Sequence, residues 1–282
     1  IVGYYGHALS GRQPFSTNLP FSRDDLRRLG EWGGNIDAQA ADPVIARAYN
    51  RRFGMNDYAL FTPYGAEPPA DGFHQFNYSP LGIYRRSNWV ASIRAPQRFF
   101  WSTEIYTTEN LYGRQQAYGA LEILYHGGIT MSGEQLNGWD WNHMPGTTTI
   151  VLPNAKLISE DAREDVRSQL NFSGALAFQD GQSGLHACNF QEKNSGVNHN
   201  PTFVWRKSWF CFGNEIICLG SDIANNDAAN PTATTLLQGK LATPSTPLTL
   251  DGTAITAFPH DSTANGGSPH WLLDAFGTGY LV

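Results

Sequence analysis

Cysteine is scarce in this chain. The three present, Cys188, Cys211 and Cys218, make no disulfide framework, and their spacing lacks the His and Cys partners of a zinc site. All three read as small core residues. Cys211 and Cys218 flank the turn Phe212-Gly213-Asn214-Glu215. In a two-residue hairpin loop Cys211 opposes Ile216 and Cys218 opposes Trp209, so the thiols are diagonal neighbours. No apolar run approaches membrane-spanning length and no signal peptide is present. The abrupt start at Ile1-Val2-Gly3-Tyr4-Tyr5 reads as an internal cut. Gly-x-Ser-x-Gly elbows and helical His-x-x-x-His pairs are missing, as are fixed-period repeats. The eight His are scattered, and each alone reads as structural.

Lysine is absent from residues 1–114, which carry twelve Arg and ten acidic residues, a net charge of +2. Residues 115–282 carry seven basic and fifteen acidic residues, a net charge of −8. The total of −6 therefore does not rule out an acidic ligand, because a local basic cleft matters more than the sum. Arg without Lys also suits fork-like pairing with carboxylate or sulfate.

Aromatic and turn-forming residues are abundant: eight Trp, twelve Tyr, twenty-nine Gly and sixteen Pro in 282 residues. This fits many short strands with tight turns. The aromatics suit a β core first and the stacking of sugar rings second. The stretch Trp101 to Arg114 gathers Glu104, Glu109, Asn110, Tyr106, Tyr112 and Arg114 on a loop at the end of a strand, where sites tend to sit.

In chain order, Ser22 caps a short helix over 23–29 that stops at Gly30, and Asp42-Pro43 starts a second over 44–53 that stops at Gly54. On the second helix Val44 and Ala48 share one face, with Ile45 and Tyr49 beside it. Residues 57–72, rich in Pro, Gly and Ala, mark a boundary. Strand composition then appears at 73–78, 88–94, 98–105, 120–125, 148–152, 174–178, 202–212 paired with 215–219, and 279–282. Many strands without helical crossovers predict a mainly β fold, a large antiparallel sandwich.

Asn137-Gly-Trp-Asp-Trp-Asn-His-Met-Pro-Gly-Thr-Thr-Thr149, Trp101-Ser-Thr-Glu104, Tyr112-Gly-Arg114 and Lys207-Ser-Trp-Phe210 with Ile217-Cys-Leu-Gly-Ser221 together resemble polysaccharide lyase family 8. That family includes the hyaluronate, chondroitin AC, chondroitin ABC and xanthan lyases. The blocks run in family order from Gly11-Arg12-Gln-Pro-Phe15 to Gly279-Tyr-Leu281, and they are most similar to the chondroitin ABC branch. Ser16, where other branches carry a second arginine, points the same way. The resemblance implies that residues 1–56 end a helical toroid domain, 57–72 are a linker and 73–282 form the sandwich. It also implies β-elimination next to a uronic acid, which leaves an unsaturated uronide.

Residue by residue, the resemblance makes Arg12 the cation beside the leaving oxygen. It makes Glu104 the sandwich carboxylate that holds the cleft's arginine–tyrosine cluster. Asn110 and Arg114 are expected to contact carboxylate or sulfate. Trp139 is a substrate-contact candidate within a largely structural block, where Pro145-Gly146 forces a turn and Trp139 and Trp141 share a face. Glu109 reads as a surface carboxylate. The family's catalytic Tyr and His lie upstream of Arg12 and have no match here, so the chain reads as incomplete.

The implied partners are an acidic polysaccharide and the missing upstream helical segment, with no nucleic acid and no membrane. The implied location is secreted or periplasmic in a bacterium. No cofactor is called for. A divalent cation such as Ca2+ is left open, because the oxygen-rich Asp222 to Asp227 segment reads as a turn. A non-catalytic carbohydrate-binding sandwich and a lyase for another uronate polymer such as xanthan are the alternatives.

Overall fold

The structure, a computed structural model, describes residues 22–68, 70–108, 110–125, 129–243, 246–264 and 266–282. Two helices come first. The Ser22 hydroxyl accepts the Asp25 amide at 3.1 Å and the Asp25 carboxylate accepts the Ser22 amide at 3.0 Å, a reciprocal cap that opens α1 (Arg23–Ile36). The helix runs through Gly30, where the sequence predicts a stop. A Cβ on Gly30 would stand 2.5 Å from the Phe61 ring, and one on Gly34 would stand 2.5 Å from the Ala41 backbone. These glycines therefore serve close packing within the helix rather than ending it.

Helix α2 (Pro43–Phe53) starts as predicted on Asp42, whose carboxylate accepts the amides of Val44 and Ile45 at 2.8 and 2.9 Å. Its buried face is Ala46, Tyr49 and Asn50, while Val44 is exposed. The rotation relative to the expected face follows from Phe61. Its ring packs edge-on against Tyr49, and its carbonyl accepts the Asn50 amide at 2.7 Å. Residues 58–64, read by composition as connecting chain, thus pack on the helices through Tyr58, Phe61 and Tyr64.

The strands follow in order: β1 (Gly72–Phe76), β2 (Leu81–Arg86), β3 (Trp89–Arg94), β4 (Thr103–Tyr106), β5 (Ala120–Tyr125), β6 (Thr148–Ile150), β7 (Arg163–Val166) and β8 (Ser173–Ala177). After them come β9 (Gly184–Gln191), β10 (Val204–Phe212), β11 (Glu215–Ala224), β12 (Thr232–Thr234), β13 (Leu248–Leu250), β14 (Thr253–Ile255), β15 (Trp271–Leu273) and β16 (Gly279–Leu281). All the pairings are antiparallel. One sheet has the order β1-β2-β3-β5 and a second β11-β10-β9-β8, with smaller pairs β12-β6 and β4-β7 and a terminal sheet β14-β13-β15-β16. The fold is a mainly β antiparallel sandwich preceded by two short helices.

One apolar core lies between the two larger sheets. Phe73, Tyr84, Ala91 and Ile93 come from the first; Cys188, Phe190, Trp205, Trp209 and Cys211 come from the second. Alternation places Trp205, Lys207, Trp209 and Cys211 of β10 inward, and the Phe190 and Trp205 rings stack at 4.7 Å. The β10–β11 register sets Cys211 against Ile216 and Trp209 against Cys218, as the hairpin predicts. Cys218 nevertheless departs from the core reading, because β11 is the edge strand and leaves it exposed.

Residues 98–102 do not extend β4. The Arg98 and Ser102 amides donate individually to the Leu170 and Val166 carbonyls instead of joining a continuous ladder. The Trp139 to Gly146 block forms successive turns, not an extended segment. Within it Gly146 has φ +76°. Leu121 donates to the Pro145 carbonyl at 3.0 Å, and the Lys207 ammonium donates to the Gly146 carbonyl. A Cβ on Gly146 would lie 2.3 Å from the Leu121 amide nitrogen. Gly146→Ala is therefore expected to destabilise the fold by at least about 2 kcal/mol, from the left-handed backbone and the backbone clash together. An unchanged urea midpoint would show that the turn relaxes freely.

Candidate functional site

Strands β4 and β7 form a two-stranded ribbon in which Glu104 opposes Asp165, Tyr106 opposes Arg163 and Ile105 opposes Glu164. Because side chains alternate, Tyr106, Glu104, Arg163 and Asp165 share the outward face. Thr103, Ile105, Glu164 and Val166 share the inward face, and all four are buried.

On the outward face the Tyr106 hydroxyl donates to Glu104 Oε2 at 2.8 Å, and Arg163 Nη2 lies 3.3 Å from Glu104 Oε1. The Glu104 side chain is 13% exposed. Arg163 also grips Asp165 Oδ1 through Nε and Nη2, at 2.9 and 2.7 Å. Arg167, just past β7, approaches Asp165 Oδ2 at 3.5 Å and donates to the Phe99 carbonyl at 2.9 Å. Both guanidiniums lie against the half-exposed Trp101 ring, 6.0 Å (Arg163) and 5.2 Å (Arg167) from its centre.

On the inward face Glu164 receives Lys193 Nζ at 2.8 Å and His199 Nε2 at 2.9 Å, with Arg114 Nη2 3.7 Å away. Burial pushes its carboxyl up, but the hydrogen bonds from His199 and Lys193 and the neighbouring cations win and hold it at about 2. His199 in turn faces Glu192, Nδ1 to Oε1, at 3.3 Å. Burial pulls the imidazole down, but its bonds to Glu164 and Glu192 leave it net raised above 6.5. The Tyr118 hydroxyl and the Asn200 amide complete the Glu192 carboxylate at 3.0 Å each.

The sequence-derived candidates separate. Glu104 stands on the outward ribbon face among other polar groups, and Arg12 lies outside the described residues, as does Glu109. Asn110 adopts φ +51° and donates its amide to the Glu104 carbonyl at 2.7 Å. It closes the loop onto the strand.

Arg114 lies inside the protein. It is fully buried, and its guanidinium donates to the carbonyls of Lys156, Ile158 and Asn198, out of reach of a polymer in solvent. Trp139 packs against the core and donates Nε1 to Met144 Sδ at 2.9 Å, which places it with the structural block. Arg163, Asp165 and Arg167 cluster beside Glu104 and Trp101 and were not among the sequence-derived candidates. Their signal was the alternation Arg163-x-Asp165-x-Arg167, a charged strand face with period two.

Among the described residues no group of three or more His, Cys, Asp and Glu side chains is placed to hold a metal ion. The oxygens of Asp227 are engaged within their own turn by Ala229 and Asn230. No helix among the described residues is long and apolar enough to cross a membrane.

The super-sandwich domain of polysaccharide lyase family 8 matches residues 71–282. Chondroitin sulfate ABC endolyase of Proteus vulgaris is 34% identical over 98% of this chain and 27% of its own length. Chondroitin sulfate ABC exolyase of Bacteroides thetaiotaomicron is 33% identical over 85% of this chain and 23% of its own length. The chain thus spans about a quarter of the length of these curated relatives. Among solved structures, Paenibacillus xanthan lyase shares the fold with a TM-score of 0.67, at 19% identity over 89% of this chain and 24% of its own. Streptomyces coelicolor chondroitin AC lyase does so with a TM-score of 0.55, at 16% identity over 94% of this chain and 36% of its own.

The inward network sets a pH window for stability. Glu164 is depressed from 4.5 to about 2, so its contribution is complete above 4.5 and is lost as pH falls through about 2. His199 is raised above 6.5, so its contribution is complete below 6.5 and is lost as pH rises through its folded value. In thermal unfolding followed across pH, the gap between wild type and His199→Gln should be widest below 6.5 and narrow on the alkaline side. A gap that stays constant through that range would show that the imidazole does not act as a cation here.

Proposed function

The chain belongs to polysaccharide lyase family 8, and from that premise we propose that it contributes the sandwich side of a lyase that cleaves uronic-acid-containing glycosaminoglycans, of the chondroitin sulfate ABC type. The observation that carries this reading is the similarity to a chondroitin sulfate ABC endolyase along nearly the whole chain. The substrates are chondroitin and dermatan sulfate, with hyaluronan as a further candidate. The enzyme is secreted or periplasmic in a bacterium, where such polymers are met.

The chemistry is β-elimination. A base takes the proton at C5 of the uronate, the C4–O bond breaks, the leaving oxygen is protonated and a C4–C5 double bond remains. Negative charge grows on the uronate carboxyl in the transition state, and fixed donors or cations aimed at it supply the main stabilisation. In this reading Arg12 gives positive charge beside the leaving oxygen, where a guanidinium stays protonated. Glu104 orients that arginine by accepting from it. The rigidity of the ribbon supports this role, because Asn110, Tyr106 and Arg163 all hold Glu104 or its backbone. The acid/base Tyr and His come from a helical segment upstream of Ile1, and the two helices at residues 22–53 are the end of that toroid domain. The similarity of the chain to only a quarter of its curated relatives supports this division.

The full gene product should raise ultraviolet absorbance from new C4–C5 double bonds on chondroitin, dermatan and hyaluronan. Silence on all three would end the glycosaminoglycan reading, and activity on xanthan alone would move the enzyme to another branch of the family. In the same protein Glu104→Gln and Arg12→Ala are each expected to lower kcat/KM at least ~100-fold, the scale of losing one electrostatic donor. Near-wild-type rates would show that the residues have been matched to the wrong roles.

A further inference from the structure

We propose that Trp101, Arg163 and Arg167 form a subsite for an acidic sugar ring, carboxylated or sulfated, on the outward face of the β4–β7 ribbon beside Glu104. The proposal rests on the polysaccharide reading above and adds to it where the polymer lies and which groups recognise its charge.

Three observations carry it. First, Trp101 is an aromatic ring left 45% exposed only three residues before Glu104, although Trp141, Trp205 and Trp209 are buried in a large apolar core. Such a surface can take the apolar face of a pyranose. Second, two guanidiniums border that ring and are themselves accessible, Arg163 at 49% and Arg167 at 37% of the side chain. Their charge is matched by two carboxylates, but their N–H donors are not all used. Asp165 offers two oxygens to a pair of guanidinium forks whose donors outnumber them, and Glu104 shares its carboxylate between Tyr106 and Arg163.

Third, the cations are held in place before any ligand arrives. Arg163 grips Asp165 through two nitrogens, Arg167 donates to the Phe99 carbonyl, and both lie against Trp101. Prior ordering reduces the entropy lost on binding, and planar forks match the geometry of carboxylate and sulfate oxygens. Asp165 and Glu104 also act as a filter, since two carboxylates near the guanidiniums turn away ligands whose anionic groups do not reach the forks.

The chain and its Arg167→Gln and Trp101→Ala variants can be titrated calorimetrically with three hexasaccharides: chondroitin sulfate, desulfated chondroitin and neutral maltohexaose. Wild type should bind the two acidic sugars and not the neutral one, with affinity falling at high salt. Arg167→Gln should weaken binding of the acidic sugars about 10-fold, the worth of one charge-assisted contact, and Trp101→Ala by a similar factor. Circular dichroism matching wild type would show that both exposed substitutions leave the fold intact. Absence of wild-type binding, equal binding of maltohexaose, or affinities in both variants within about 2-fold of wild type would overturn the subsite. Failure of the lyase reading looks different: acidic hexasaccharides would still bind in an Arg167-dependent way while the full gene product formed no unsaturated uronide.

Discussion

Glu164 is a carboxylate almost removed from water, and the neighbourhood of the ribbon follows from the need to neutralise it. An ion moved into a protein interior loses several kcal/mol of hydration and persists only among well-placed partners. Here those partners come from distant parts of the chain: Lys193 and His199 after β9, and Arg114 from the loop before β5. Their convergence ties the ribbon to the second large sheet and to the 113–118 segment. Once the inward face is anchored, the outward face has no freedom to turn, and Glu104 inherits its direction from a residue on the other strand.

The same logic explains Arg114, which a reading of functional groups assigns to an anionic substrate. A guanidinium that finds three main-chain carbonyls and a carboxylate inside the protein is worth more as a fastener than as a ligand. The cations that face solvent are Arg163 and Arg167, held from beneath by this buried network and from the side by Asp165. Two layers of charge are thus stacked through one thin ribbon. The inner layer is ion-paired within the protein, and the outer layer keeps guanidinium donors at the surface.

What could be read from the sequence followed the strength of local signals. The Asp42-Pro43 start and Gly54 end of α2, the Gly213-Asn214 hairpin with its register, and the positive-φ turn at Gly146 rest on chemistry confined to a few residues. Strands β7 and β9 are hard to read because Glu164, Gly184 and His186 stand among their inward positions, beside the apolar Val166, Cys188 and Phe190. Only the assembled core shows why they are there: His186 is held neutral by burial, down to about 4, with Ser173 at 3.1 Å and the Trp209 ring beside it. Among the candidates, Glu104 stands out in the sequence because it sits in a distinctive motif. Its partners do not, since cross-strand neighbours some sixty positions away leave no trace in local composition.

The alternation in β4 and β7 also imposes a parity rule on change. A change of length in an exposed turn outside the two strands leaves unaltered which side chains face outward. Inside either strand a single insertion or deletion exchanges the faces. Glu164 would then point to solvent and Asp165 into the apolar interior, away from Lys193, His199 and Arg114. Such a change destroys the buried network and the outward charge pattern in one step, so length variation is confined by geometry to turns outside the two strands.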